Sequence, residues 1–463
     1  MKNNNYYLFA VLILMAFHSY AQEIKPQYNA TVLEKRNDPA MNRWRENRFG
    51  QFIHWGLYAI PGGEWKGSIE PMAAEGIAHK LKIPGEEYAE LIHKFNPVNF
   101  DPEKWAAMDK AMGVKYVIIT TKHHEGFCLW PSKYTDYDIT STPYQKDILE
   151  PFVQAYKKAG IDVVFYYSII DWNHKDYRSK IISPADSIAF GQYIKYAKNQ
   201  LVELLKNYPD IKTLWFDGQW EESYKTNPQY GWEIEQTLRN FKPDIIINNR
   251  VRLNVAGMID HDSNGRHFGD YDASFERKLI EDTTGLMPTF DWEACMTIPV
   301  NTWGYHKDWT INGHVKSPRE LVEMLVKCSS MGGNFVLNFG PKPDGTIRTE
   351  ELERAKVIGD WMKVNGEAIY ATEGFPYPKP VWGYYTQKHI SANEKIVYLH
   401  IFNRPATGLI NIPIQKDEIV EATLLFIKDK IEITVLADGT AVLRLPAKQY
   451  SDIADVIAVK LKM

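Results

Sequence analysis

The chain lacks most features that would mark it as small, membrane-bound or nucleic-acid-bound. Its 463 residues include three cysteines, too few for a disulfide framework. Cys128, Cys295 and Cys328 all sit in apolar contexts and are expected to be buried thiols. No basic block stands out. Lys and Arg number 54 against 58 Asp and Glu, both signs are spread along the chain, and the formal net charge is −4. This argues against a nucleic-acid partner and against a basic amphipathic helix at a membrane surface. The one long apolar run, Leu8–Phe17, is too short to cross a bilayer. With Lys2 before it and Ser19-Tyr20-Ala21 after it, the run reads as a signal peptide over residues 1–21. No Cys near the cut suggests a lipid anchor, so a soluble, secreted or periplasmic protein is expected. The sequence has no HExxH or CxxC pattern, no internal repeat and no low-complexity linker.

About 440 residues would remain after cleavage, enough for a large barrel and a small companion domain. Short apolar runs alternate with helical patterns from Arg48 to about Gly345. The strand candidates are Phe49–His54, Tyr116–Lys122, Val163–Tyr167, Thr213–Phe216, Ile245–Asn248 and Phe335–Asn338. They are apolar on both faces, as strands covered on both sides must be. Asp101-Pro102 opens a helix that Gly113 stops, and Ser317-Pro-Arg-Glu320 is a capping box. Ile194, Ala197, Leu201 and Leu204 form another helical stripe. Alternation over this length predicts a parallel α/β sheet. The rival is an open doubly wound sheet, but no Gly-rich dinucleotide turn follows the first strand. A (β/α)8-like, TIM-type barrel over residues 22–370 is therefore expected. Past Tyr370, short strand patterns and the Asp438-Gly439 turn predict a C-terminal antiparallel β-sandwich over 371–463.

Several predicted strands end in a polar group: His54, His123-His124, Tyr167, Asp217 and Arg250. In a barrel these ends ring one cleft. Asp217 closes an apolar strand and precedes a Gly that permits close approach. Neighbouring strand residues point to opposite faces, so His123 and His124 are not expected to chelate a metal together. Hydrogen bonding to sugar hydroxyls suits them better. Aromatics make up 13% of the chain, with 14 Trp, in keeping either with sugar-stacking platforms or simply with a large aromatic core. Hydrolysis of a glycosidic bond needs a second carboxyl group. Asp270, Asp272, Glu276 and Glu293 are all available in the later barrel region, and spacing alone does not choose among them.

Taken together, the motifs resemble glycoside hydrolase family 29, the α-L-fucosidases. The matching segments are Phe49-Gly-Gln-Phe-Ile-His-Trp-Gly-Leu-Tyr58, Glu64-Trp65, Thr121-Lys-His-His-Glu-Gly-Phe127, Trp130-Pro-Ser132, Trp215-Phe-Asp-Gly218, Asn248-Asn-Arg250, Trp292-Glu-Ala-Cys-Met-Thr297, Trp303-Gly-Tyr305 and Gly333-Asn-Phe-Val-Leu-Asn-Phe-Gly-Pro341 with Asp344-Gly345. The resemblance implies a retaining exo-enzyme that removes terminal α-L-fucose from oligosaccharides or glycoconjugates, without a cofactor or metal. It implies Asp217 as nucleophile. His54, Glu64, Trp65, His123, His124, Tyr167, Trp215, Arg250 and Trp292 are implied to hold the sugar. The acid/base falls on Glu276, with Glu293 as alternative, because Ala273-Ser-Phe-Glu276 stands where many members carry Thr-Pro-Glu. An enzyme for α-L-galactosides and a catalytically dead fucose binder are the rival functions.

Overall fold

The computed structural model describes residues 36–252, 269–280, 288, 290–300 and 302–463. Residues 1–21, expected from sequence to be a signal peptide, lie outside them. Eight parallel strands form one sheet: β1 (Phe49–Ile53), β2 (Tyr116–Lys122), β3 (Asp162–Ser168), β4 (Thr213–Asp217), β5 (Ile246–Ile247), β6 (Asp272–Glu276), β7 (Trp292–Thr297) and β8 (Asn334–Phe339). Their order is β5-β4-β3-β2-β1-β8-β7-β6. The two end strands are consecutive in sequence, and they meet. Asn248 and Tyr271 form a parallel bridge, Asn249 N donates to Tyr271 O at 3.0 Å, and Asp270 N donates to Ile247 O at 2.6 Å. The sheet thus closes into a TIM-type barrel.

Strands β1 to β4 and β8 are apolar on both faces because each face meets a different core. Phe52, Ile118, Val164, Tyr166, Trp215, Cys295 and Val336 fill the barrel interior. Their strand neighbours Ile53, Val117, Ile119, Phe165, Tyr167, Phe216 and Leu337 face the surrounding helices. The helices start where the sequence puts caps. Asp101 accepts from Lys104 N before Pro102–Met112, and Gly113 ends that helix at φ 94. Ser317 and Glu320 complete a reciprocal capping box on Pro318–Ser330. The Ile194 stripe lies on the 24-residue helix Pro184–Asn207.

The C-terminal region is antiparallel. Strands β9 (Gly383–Ser391), β10 (Glu394–Ile401), β11 (Leu409–Gln415), β12 (Ile419–Leu424), β13 (Glu432–Val435), β14 (Thr440–Arg444) and β15 (Asp455–Lys462) form two sheets. One runs β9-β10-β15-β12 with Glu373–Gly374 at its edge, and the other runs β11-β14-β13. Inner faces of both, including Leu399, Val459, Ile412 and Leu443, share one core. The outer face of the larger sheet sends Tyr384, Tyr398 and Val456 into the barrel's helical core. Trp361 Nε1 donates across this junction to Ala454 O at 3.0 Å.

Candidate active site

Strands β1, β2, β3, β4 and β6 bring residues at or just past their C-terminal ends to one cavity of about 310 Å³. Asp217 is the last residue of β4 and is buried. Its chain then turns at Gly218, φ 112, where a Cβ would lie 2.7 Å from Ile170 Cγ1. This turn aims the Gly218 amide back at Asp217 Oδ1, at 3.0 Å. Arg250 Nη2 reaches the same oxygen at 2.7 Å. Oδ2 accepts from Tyr166 OH at 2.9 Å and lies 3.5 Å from His124 Nε2. Burial pushes the Asp217 carboxyl well above the usual carboxylate range. Arg250 pulls it back, nearby Glu276 opposes that, and the Tyr166 and Gly218 hydrogen bonds assist Arg250.

Arg250 sits in the 3₁₀ turn Asn249–Val251 just past β5. Its place beside Asp217 follows from Asn248. That side chain accepts from Phe216 N at 2.9 Å and donates to Phe216 O at 3.1 Å, extending the short β4–β5 ladder by imitating a peptide. From sequence Arg250 was expected to hold sugar hydroxyls; in the structure its guanidinium is turned to protein groups. Its guanidinium is engaged by Asp217, Glu276 and Gln219, and its face lies 5.0 Å from the Trp215 ring centroid. One cation therefore joins Asp217 and Glu276. Glu276 ends β6 and lines the cavity.

The histidines are set by partners behind them. His54 Nδ1 lies 2.6 Å from Asn338 Oδ1, while Asn338 Nδ2 donates to Trp303 O at 2.7 Å. His124 Nδ1 lies 2.6 Å from Ser168 Oγ, whose own proton goes to Ile170 O at 2.8 Å. Both Nδ1 atoms are thereby donors, leaving each Nε2 as an acceptor. Burial holds His54 and His124 down at about 3 and pushes His123 well below its ordinary value, so the three rings are neutral near pH 7. The expectation that His123 and His124 diverge is overturned. β2 ends at Lys122, the chain turns at Gly126 (φ 83), and both rings face the cavity with centroids 4.2 Å apart. With Asp217 they present ligand atoms within 4.8 Å of one another.

Other expected sugar-binding residues lie elsewhere. Tyr167 faces the helices, donates to Gln200 Oε1 at 2.8 Å, and carries Lys122 Nζ 4.4 Å from its ring centroid; on β3 it is Tyr166 that points inward. Trp292 also faces outward, donating to Met331 O at 3.2 Å. Glu64 pairs with Lys307 at 3.0 Å and Trp65 donates to Glu87 at 3.2 Å; neither lines the cavity. Glu293 faces the barrel interior without exposure, accepting from Tyr116 OH at 2.6 Å and Trp215 Nε1 at 2.9 Å. Asp270 is tied to Arg36 and Arg239, and Asp272 to Asn249. Sequence reasoning missed Tyr166, Trp172, Trp220 and His79 as cavity residues, and used Trp303 only as a motif. Strict alternation from Val164 would have found Tyr166.

The arrangement offers a pair of carboxylates on one shared cation, neutral hydrogen-bonding rings and the aromatic faces of Phe52, Trp215 and Trp303. This is chemistry suited to a small polyol with one apolar patch. A family model described as alpha-L-fucosidase matches residues 15–367. A crystal structure of an α-L-fucosidase from Bacteroides thetaiotaomicron, trapped as a covalent intermediate with 2-fluoro-fucosyl fluoride, is 45% identical. It superposes with a TM-score of 0.88 over 94% of this chain and 98% of that one. α-L-Fucosidase isoenzyme 1 from Paenibacillus thiaminolyticus is 34% identical, with a TM-score of 0.78 over 92% and 99%. The tissue α-L-fucosidase of Rattus norvegicus is 29% identical over 434 residues, 90% of this chain and 87% of its own.

Proposed function

Because the chain belongs to the α-L-fucosidase family, we propose that Asp217 is its nucleophile and Glu276 its general acid and base. The enzyme is a retaining exo-α-L-fucosidase. The observation that carries the assignment is the single Arg250 guanidinium contacting both carboxylates inside the cavity. A retaining mechanism needs the pair only about 5–5.5 Å apart, a spacing that two groups sharing one guanidinium can meet. Glu293 supports the role less well, because it is enclosed beneath the cavity by Tyr116 and Trp215.

Ionised Asp217 attacks the anomeric carbon while Glu276 protonates the departing oxygen. The C1–O bond breaks and a covalent β-fucosyl ester forms. Water then attacks C1, Glu276 takes its proton, and Asp217 departs as carboxylate. Arg250 keeps Asp217 ionised against its burial. The unprotonated Nε2 atoms of His54 and His124 accept hydrogen bonds from fucose hydroxyls, and Phe52, Trp215 and Trp303 supply the apolar surface for the C5 methyl. The substrates are fucosylated oligosaccharides or glycoconjugates. The run Leu8–Phe17 supports export to the periplasm or beyond. Among the described residues, no helix is long and apolar enough to cross a membrane.

The test is Asp217→Ala. Turnover of nitrophenyl α-L-fucoside should fall by several orders of magnitude, and azide should restore it, giving a fucosyl azide of inverted configuration. Near-normal turnover without azide would remove Asp217 from the role.

A further inference from the structure

Behind the two histidines of β2 lies a pair of charges that the catalytic steps do not use. β2 loses register with β3 between Thr120 and Lys122, and Lys122 forms a bridge with Cys128 on the returning chain. Residues 123–127 are therefore a tight loop with Lys122 at its base. A break in register of this kind re-aims the side chains that follow it. The Lys122 side chain anchors the loop from the side away from the cavity. Its Nζ donates to Asp171 Oδ2 at 3.1 Å, and the two side chains are 0% and 3% exposed. The rings of Tyr167, Tyr193 and Tyr196 lie around the ammonium, with centroids at 4.4, 5.6 and 5.4 Å.

Asp171 belongs to the segment after β3 and organises it. Its other oxygen accepts from Asn173 N at 3.1 Å and His174 N at 2.9 Å. The next residue, Trp172, donates its backbone N–H to His124 O at 2.8 Å. The Trp172 ring lies 5.2 Å from the His124 ring, and both line the cavity of Asp217. Gly126 lets the two segments come this close, since a Cβ there would lie 2.2 Å from Asp171 Oδ1. The two charges thus meet behind the cavity, one at the base of the histidine loop and the other next to Trp172 in the chain.

A buried ion pair adds little net stability, because desolvation cancels most of the attraction, and an uncharged pair of similar volume often serves a fold as well. What this pair supplies is one fixed geometry. We propose that Lys122 and Asp171 are positioning residues for sugar binding, resting on the reading that fucose occupies the cavity of Asp217. Their ion pair sets where His124 and Trp172 stand, and neither charge touches the sugar.

The test measures two quantities on each variant: Ki for L-fucose competing with nitrophenyl α-L-fucoside, and Tm. Asp171→Asn leaves the ammonium buried without its partner. Tm should fall, and Ki should rise roughly tenfold, the worth of one misplaced hydrogen bond to the sugar. The double variant Lys122→Met, Asp171→Asn removes both charges and should recover most of the lost Tm, while Ki stays raised. If Asp171→Asn does not fold, the double variant against the unaltered enzyme decides alone. A double variant whose Ki returns with its Tm overturns the proposal, because packing then suffices to place the histidine and the tryptophan. An unchanged Ki in both variants overturns it as well. So does a double variant as unstable as the single one and equally weak for fucose, since the effect is then one of fold. L-Fucose that fails to compete in the unaltered enzyme overturns instead the placement of fucose in this cavity.

Discussion

Replacing Arg250 by Met should shift the acid limb of the pH–rate profile upward as well as slow the enzyme. Arg250 Nη2 stands 2.7 Å from Asp217 Oδ1, with the two side chains 7% and 10% exposed. Unit charges about 4 Å apart attract by about 4 kcal/mol at an effective dielectric near 20. Since about 1.36 kcal/mol equals one pKa unit, losing the cation raises the Asp217 pKa by up to roughly three units. The sign is fixed. A cation favours the ionised form, burial already pushes this carboxyl up, and nearby Glu276 repels a second negative charge. Without Arg250 less nucleophile is ionised at a given pH, so the limb moves to higher pH. The assay is kcat/KM for nitrophenyl α-L-fucoside against pH, because that leaving group needs little help from an acid. Arg250→Lys keeps the charge and loses the fork, so its limb should return most of the way to the wild-type position. An Arg250→Met limb that stays in place, or moves to lower pH while the rate drops, would refute the electrostatic role and leave Arg250 a sugar-binding residue.

Glu276→Ala should still cleave nitrophenyl fucoside appreciably and fail on a natural fucosyl oligosaccharide, with azide giving a product of retained configuration; if Glu293→Ala behaves this way instead, the two roles are exchanged. Tyr166→Phe removes a hydrogen bond to Asp217 Oδ2 and should cut kcat by about tenfold or more, whereas Tyr167→Phe, losing only its Gln200 bond, should leave kcat within about twofold and show its effect in Tm. Prolonged EDTA treatment should leave activity unchanged, and loss restored by a divalent ion would revive His123, His124 and Asp217 as a metal site. Burial raises Glu293 from 4.5 to about 7, so its stabilising effect is complete below about pH 4.5 and is lost as pH rises toward 7, by about 3 kcal/mol at most. Glu293→Gln should remove that slope and raise Tm above pH 7, measured by thermal melts across pH, and a variant melting in parallel with the wild type at every pH would contradict it.

The barrel was legible where strands are covered on both faces. Runs such as Tyr116–Lys122 cannot alternate in polarity when one side meets the interior and the other the helices. The same property hid the facing of individual residues, which is why Tyr167 was expected where Tyr166 stands. β6 escaped notice because Asp272, Ser274 and Glu276 make it polar. It borders the closure and the cavity mouth, so side chains there bond to Asn249 and Arg250. β11 was missed although Ile410, Ile412 and Ile414 alternate inward, because Pro413 interrupts it. The register shift between Asn411 and Gln415 accommodates that residue. Asp217 was readable from its own strand and glycine, but its partners come from β2, β3, β5 and β6, and their meeting is a property of the closed barrel.

That closure sets how long the catalyst lasts. β5 contributes two residues, and the barrel is joined to β6 through one bridge and a few side chains. Elsewhere neighbouring strands share longer ladders. Partial opening is cheapest where fewest bonds must break, and Arg250 lies two residues beyond the bridge. Warming would part this seam first, withdrawing the cation from Asp217 while the other strands remain paired. Inactivation then runs ahead of unfolding. A cross-link between the segments flanking Asn248 and Tyr271 is therefore expected to lengthen the half-life of activity on warming, and an unchanged half-life would show that the seam does not open first.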